Sequence, residues 1–338
     1  MPVTVRSFAK INLGLCIGPA RPDGFHELRT VYQTIGLNDL ITVRVAKGAG
    51  IEIRSADPRV PTDSGNTCYR AVERAMEALG ARGRVTIEIE KRLPVQGGLG
   101  GASANAVAAL LALEKVLRKR LSQAERLRIA AEVGSDLPCF LVGGTALGVG
   151  RGEVVFPLED LPTMPCVIAT PAIGVSTPKA FADWDELMAR AERASERSTG
   201  GDARTYASSG KLTVVTPSDR IKRFGHVLSA WLSDASGASA RGGSRAESLL
   251  LDLVRTGIEN DFERVVFPQY PELRDIKGVL ERAGALYASL SGSGSALYGL
   301  FRTRDAAKRA VAKLKEAGVP AQVTSTLTRP QYWKKTFN

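Results

Sequence analysis

The stretch LPVQGGLGGASANAVAALLAL, residues 93–113, sets four glycines in five positions directly ahead of an unbroken helix pattern. Glycine lets the backbone approach a ligand closely, and a helix start offers unpaired N–H groups with a partial positive charge. Together they make an anion site, most often for phosphate. Ser103 adds a hydroxyl at the helix start. The motif is not a P-loop, because no Lys-Ser/Thr follows the glycines, and Ser103 stands where a dinucleotide fingerprint wants a third glycine or alanine. A glycine loop that serves only tight packing is the plain alternative.

Composition narrows the possible ligands. A chain of 338 residues buries a large core and is ordinarily two domains. Aliphatic residues and alanine dominate, aromatics are 6%, and the class is globular α/β or α+β. Lysine and arginine total 46 against 35 acidic residues, a net charge of +11. Nucleic acids and acidic small molecules both favour a positive protein. The charge is scattered, without the Lys/Arg block of a nucleic-acid arm. The four cysteines (Cys16, Cys68, Cys139 and Cys166) form no CxxC pair and there are two histidines. Reduced buried thiols are therefore expected, not a zinc site or a disulfide framework. The first residues, MPVTVRSFAK, lack a signal peptide's apolar core, and the run LPCFLVGGTALGVG is too short and glycine-rich to span a bilayer. A cytoplasmic protein without membrane contact is the expectation.

The elements that must position the glycine loop follow from periodicity. Residues 1–55 read as strands, interrupted by the loop PARPDGFHELRT. Cys68–Leu79 reads as a helix, Val85–Ile89 as a strand, and Ser103–Leu117 as a helix with Val107, Leu110, Leu111 and Leu117 on one side. Ser122–Val133 opens with a Ser122…Glu125 capping box. FLVGGTALGVGRGE reads as a strand pair, and prolines 157, 162, 165 and 171 place a boundary near 155–170. PCVIATP reads as a strand. Residues 191–245, rich in Ser, Gly and Arg, are expected to be flexible loops around one helix at Arg220–Leu232. Thereafter GALYASL, ALYGLF, a helix at Asp305–Ala317 and PAQVTST make a β-β-α-β run, an antiparallel sheet backed by helices.

AKINLGLCI with RPDGFHELRTVYQTIGLND, then LPVQGGLGGASANA, GSDLPCFLVGGTALGVGRGE, NDFERVVFPQYPEL and SLSGSGSALYGLF occur in this order. In order and spacing they resemble the GHMP small-molecule kinases, over most of the chain apart from roughly residues 190–250. PDGFHEL and NDFE resemble the branch that acts on a cytidyl diphosphate-linked polyol. The resemblance implies a two-domain α/β (α+β) fold with mixed sheets backed by helices and the active site in the inter-domain cleft. Residues 1–160 would be the ATP-binding domain and 161–338 the C-terminal domain. ATP, with Mg2+, would phosphorylate a tertiary hydroxyl of the polyol, in a monomer or weak homodimer that binds no nucleic acid.

The same resemblance implies roles for residues. Pro94, Gly97, Gly98, Leu99, Gly100, Gly101, Ala102, Ser103, Ala104 and Asn105 would cradle the phosphates, with Asn66 and Lys91 near the nucleotide. Asp136 in GSDLP would be the catalytic base, with Lys10 in AKIN beside it. Asn12, Phe25, His26, Thr177 and Phe181 would line the substrate pocket, Phe25 and Phe181 as two aromatic faces around the cytosine. The chemistry is independently sound. A carboxylate can take the proton of a hydroxyl as phosphoryl transfer proceeds, and a neighbouring ammonium keeps that carboxylate ionised. Read alone, Asp136 is a cap ahead of Leu137-Pro138, Lys10 a strand lysine amid Phe8, Ala9, Ile11 and Leu13, and His26 a loop histidine. Two positions depart from the family pattern. Ala104 replaces the second of two serines, leaving Ser103 as the candidate Mg2+ contact, and Phe25 replaces a tyrosine. The rivals are a GHMP kinase for mevalonate-type or homoserine substrates, which PDGFHEL argues against, and a non-catalytic nucleic-acid-binding or regulatory protein on this fold. The latter would bind RNA or DNA salt-dependently without ATP turnover.

Overall fold

Two long strands form the spine of the first half: β1 (Val3–Ala20) and β2 (His26–Ala46), paired antiparallel with register shifts at Phe8/Lys10 and Asn12/Gly14. The computed structural model describes residues 1–94, 97–199, 221, 225 and 259–337. β3 (Ile51–Ser55), α1 (Thr67–Ala78), β4 (Arg84–Glu90), α2 (Gly101–Leu117), α3 (Gln123–Val133), α4 (Leu137–Val142), β5 (Thr145–Val149) and β6 (Val154–Pro157) follow. They complete a six-stranded mixed sheet ordered β3-β4-β2-β5-β6, with β1 on β2 and only β3–β4 parallel. Ile41, Val43, Val85 and Ile87 from the sheet share one core with Val72, Leu110, Ile129 and Phe140 from α1–α4.

The chain then passes to a second sheet between Pro157 and Pro165. β7 (Pro165–Ala169), β8 (Tyr287–Leu290), β9 (Leu297–Leu300) and β10 (Ala321–Ser325) form four antiparallel strands ordered β10-β7-β9-β8. α5 (Thr177–Thr199), α6 (Glu263–Gln269), α7 (Pro271–Arg282) and α8 (Arg304–Glu316) contribute Trp184, Val266, Leu280 and Leu314 to the core against it. A third cluster joins the sheets, Ala9, Ile11 and Val31 from the first meeting Ile168, Tyr298 and Leu300 from the second. The expected class, mixed sheets backed by helices, is the fold observed. All four cysteines are buried, and burial pushes the Cys68 thiol up to about 12.

Several local readings change. α2 begins at Gly101, so Ala102 and Ser103 lie in its first turn, and it is buried all round from Ala104 to Glu114. Such a helix is a core element with no single apolar face. Phe140–Val142 belong to α4, with Pro138 at its start and Gly143 and Gly144 at positive φ behind it, so the strand pair begins only at Thr145. Pro138 suits a first helical turn because its missing N–H would have no partner there. Residues 191–199 are the end of α5, an amphipathic helix whose Ala180, Trp184, Leu187 and Met188 face the core. The other residues of the expected loops, and the Arg220–Leu232 helix apart from Ile221 and Gly225, lie outside the described residues. Ser122 accepts from the Glu125 N–H as expected, while the complete reciprocal capping box is Thr328–Gln331.

That box opens α9 (Arg329–Thr336), which returns to the first half and serves α4. The last carbonyls of a helix have no partner within it. Here the Tyr332 hydroxyl donates to the Phe140 carbonyl at 2.7 Å and Trp333 Nε1 to the Val142 carbonyl at 3.2 Å. Because Tyr332 is buried, Tyr332→Phe strands that carbonyl without its donor. We expect stability to fall by about 1–3 kcal/mol with an unchanged denaturant slope in urea unfolding.

Candidate active site

The glycine loop is held in a backbone that only glycine adopts easily. Gly98 has φ +73° and Gly100, the N-cap of α2, φ +69°. A Cβ on Gly98 would overlap the Ser291 carbonyl oxygen, and one on Gly100 would lie 2.9 Å from Phe140 Cζ. Among the described residues no side chain caps α2, which leaves its first N–H groups without that partner. They border a cavity of about 390 Å³. Pro94, Gly97, Gly98, Leu99 and Gly100 line one side, and Gly101, Ala102, Ser103 and Asn105 the helix side. Ala104 is buried behind it.

Asn66 and Lys91 also line the cavity. Asn66 caps α1 by accepting from the Cys68 N–H at 2.8 Å and donates to the Pro61 carbonyl at 2.6 Å, which fixes the facing loop. Lys91 Nζ lies 2.6 Å from Asp39 Oδ2, a fully buried carboxylate that also accepts the N–H groups of Arg92 and Leu93, each at 2.7 Å. The ammonium is 3.2 Å from where a Cβ on Gly101 would stand, so a fixed cation adjoins the helix start. Asn105 is buried and accepts from Ser7 Oγ at 2.6 Å.

Beyond the loop, Lys10 and Asp136 meet. Lys10 Nζ is 3.3 Å from Asp136 Oδ2, 2.7 Å from Asn12 Oδ1 and 2.9 Å from the Gly98 carbonyl, and its side chain is 3% exposed. Asp136 precedes α4 but makes no capping bond with its side chain, which is 35% exposed and turned toward Lys10. The reading of Asp136 as a simple cap does not match this geometry. Asn12 is itself fixed, donating to Thr30 Oγ1 at 2.8 Å.

Of the remaining expected residues, His26 and Phe181 meet each other. His26 Nε2 pairs with Asp185 Oδ1 at 2.7 Å, and its ring stacks on Phe181 at 4.8 Å and 11°. Phe262 meets Phe181 edge-on at 4.9 Å. Phe25 is 48% exposed with the Arg151 guanidinium 4.7 Å over its ring. The stacking partner of Phe181 within the chain is His26. Thr177 Oγ1 lies 2.7 Å from Ser293 Oγ.

The chain is similar to known proteins over most of its length. Residues 66–144 match the GHMP kinases N-terminal domain and residues 246–320 the GHMP kinases C-terminal domain. The chain is 38% identical to the 4-diphosphocytidyl-2-C-methyl-D-erythritol kinase of Solibacter usitatus, covering 92% of this chain and 85% of that protein. It is 35% identical to that of Rhodococcus jostii, over 94% and 90%. The chain belongs to the 4-diphosphocytidyl-2-C-methyl-D-erythritol kinase family, within the GHMP kinases. A crystal structure of 4-(cytidine 5'-diphospho)-2C-methyl-D-erythritol kinase is 28% identical with a TM-score of 0.67, covering 96% of this chain and 99% of that one. A homoserine kinase from Cytophaga hutchinsonii superposes equally well, TM-score 0.67, over 97% of this chain and 95% of that one, at 21% identity, a likeness of fold alone.

What NDFE and SGSGS do in this kinase-family chain emerges only from the fold. Asn260 donates to the carbonyls of Leu290 and Gly292 at 2.8 and 2.7 Å. Asp261 accepts the Ile17 N–H of β1 at 2.9 Å. Glu263 accepts from Ser289 Oγ and the Leu290 N–H, at 2.7 and 2.9 Å, and pairs with Lys277 at 2.6 Å. The segment is a clip that fastens the serine–glycine loop to β1, and Ser291 Oγ then reaches the Gly98 carbonyl at 2.9 Å. Asp39, Tyr32, Asp185, Ser291 and Ser293 escaped sequence reasoning. The available signal was acidic and amide residues embedded in apolar runs, as in LNDLI and NDFERVVF.

Gly98 separates close approach from mere backbone freedom. Gly98→Ala should lower kcat/KM for ATP at least about tenfold and destabilise the fold by roughly 1–3 kcal/mol, because both φ and the Ser291 contact oppose it. Gly80→Ala, at φ +54° with nothing within 4 Å, should cost about 1 kcal/mol and leave kinetics alone. Steady-state kinetics and urea unfolding of both variants make the comparison.

Proposed function

We propose that this chain transfers the γ-phosphoryl group of ATP to the 2-hydroxyl of 4-diphosphocytidyl-2-C-methyl-D-erythritol, a step of isoprenoid precursor synthesis. The observation that carries the chemistry is the Lys10–Asp136 pair beside an uncapped helix start. The substrate class rests on the relatives' shared name together with PDGFHEL and NDFE.

In the reaction a bond forms between the substrate oxygen and the γ-phosphorus. The bond from that phosphorus to the β–γ bridging oxygen breaks, and ADP leaves. The hydroxyl proton passes to the Asp136 carboxylate. Lys10 keeps the base ionised and offsets charge on the attacking oxygen. The first amides of α2, with Lys91, hold phosphate oxygens; Asn66 and Asn105 shape the nucleotide pocket. Asn12, Phe25, His26, Thr177 and Phe181 form the substrate side. Residues 1–160 act as the ATP-binding domain and 161–338 as its partner across the cleft, in a cytoplasmic enzyme.

Mg2+ fits this site as a companion of ATP. Among the described residues no cluster of three or more His, Cys, Asp or Glu could hold a metal. Mg2+ ordinarily keeps several waters and takes one or two protein oxygens plus substrate phosphates. The half-buried Ser103 hydroxyl, on the cavity wall, is an oxygen donor in the first turn of α2, and the buried Ala104 side chain adds none. When bound, Mg2+ would neutralise phosphate charge.

Purified protein with ATP, Mg2+ and the cytidyl substrate should yield ADP and a new phosphomonoester by phosphorus NMR. Turnover of mevalonate or homoserine instead would move the substrate assignment to another branch. Asp136→Asn should bind ATP nearly normally while kcat falls by roughly two orders of magnitude or more; retention of most activity would remove Asp136 as base. Ser103→Ala should weaken Mg-ATP binding more than cytidyl-substrate binding, measured by titration calorimetry. Equal losses would reduce the loop to a structural role.

A further inference from the structure

The chemistry above leaves one side chain at Asp136 without a task. Tyr32 stands on β2 opposite Asn12, is 3% exposed, and donates its hydroxyl to Asp136 Oδ1 at 3.0 Å. Lys10 meets the other oxygen, Oδ2. The hairpin of β5 and β6 is shaped around this phenol. A Cβ on Gly148 would lie 2.5 Å from Tyr32 Cε2, and one on Gly152, at φ +100°, 2.5 Å from Tyr32 Oη. The Gly152 carbonyl is a second acceptor at 3.4 Å.

We propose that Tyr32 is a positioning residue for phosphoryl transfer, its hydroxyl fixing Oδ1 of Asp136 so that Oδ2, beside Lys10, is presented to the substrate hydroxyl. This rests on Asp136 being the base. A third-exposed aspartate without a capping bond has rotamer freedom, and misplacement of a base by a fraction of an ångström slows a reaction that depends on alignment. A donor on one oxygen and an ammonium on the other leave the carboxylate one orientation. The donor must also stay protonated. Burial, reinforced by the charge of Asp136, pushes the Tyr32 phenol well above its ordinary value of 10, so it donates throughout the working range. The titratable and charged groups around the pair are Lys10 from β1, Cys139 from α4, and Glu153 from the β5–β6 turn. Burial and Asp136 push the Cys139 thiol well up, which keeps it neutral, and Glu153 is held by Arg151 at 3.4 Å.

The test is Tyr32→Phe in the full chain, read as kcat, both KM values and the pH dependence of kcat. We expect kcat to fall about five- to fiftyfold, with KM for ATP within about twofold of the parent. The acidic limb of the kcat profile should move up by about half to one pH unit, because a donor to a carboxylate favours its ionised form. Tyr32→Met, which also lacks the hydroxyl, should show the same displacement. Circular dichroism and ATP binding establish that each variant folds, and the variant that folds decides. An acidic limb that stays in place overturns the proposal, whether or not kcat or thermal stability falls. Activity retained by Asp136→Asn would instead overturn the base assignment. An inactive Asp136→Asn with an unmoved Tyr32→Phe profile defeats the positioning role alone.

Discussion

A lysine ammonium almost wholly removed from water must be surrounded by oxygen, because an isolated buried charge costs far more than the fold can supply. Lys10 obtains its oxygens from three separate parts of the chain: Asn12 on its own strand, Gly98 in the glycine loop and Asp136 ahead of α4. Each is in turn fixed. Asn12 bonds to Thr30, whose hydroxyl bonds to the Gly14 carbonyl, so the register shift in β1 is held where Asn12 is needed. The Gly98 carbonyl also accepts from Ser291 of the second sheet's loop, and α4 is anchored from behind by Tyr332. Solvating one cation thus couples β1, the glycine loop, Asp136 and the far half of the molecule.

The electrostatics of the site are arranged in pairs. Lys91 is matched by Asp39 and Lys10 by Asp136, so neither lysine stands as an unpaired buried charge. The positive field at the glycine loop therefore comes largely from the uncapped amides of α2, which are fixed dipoles that need no desolvation of a full charge. This accounts for a glycine run at that place. Any side chain at Gly98 or Gly100 would stand where the loop meets Ser291, Phe140 and Lys10. The overall charge of +11 adds a general pull on anions without forming the site.

The fold holds the two halves in register through short polar contacts. The Tyr298 hydroxyl donates to the Asn12 carbonyl at 2.8 Å, Asp261 accepts from Ile17, and Leu15 and Asn260 form an isolated bridge. All converge on the stretch of β1 that carries Lys10 and Asn12. A shift of the second sheet would therefore be felt first at Lys10 and Asn12.

The sequence by itself determined the helix after the glycines, the strands on either side of SGSGS, the need for glycine in GGLGG and, through resemblance, the pointer to Lys10 and Asp136, which the fold brings together. These are local properties: periodicity, glycine's access to positive φ, and motifs contiguous in the chain. It did not determine that α2 is buried on every side, that residues 191–199 continue a helix, or that His26 stacks on Phe181. Nor did it determine that Tyr32 holds Asp136, 104 positions away, or that NDFE is a clip for β1 and the serine loop. A buried polar side chain is legible as an oddity in an apolar run, but its partner is chosen by strand register and sheet order. Those are set only when the chain closes contacts between residues far apart in sequence, and only the tertiary structure decided them.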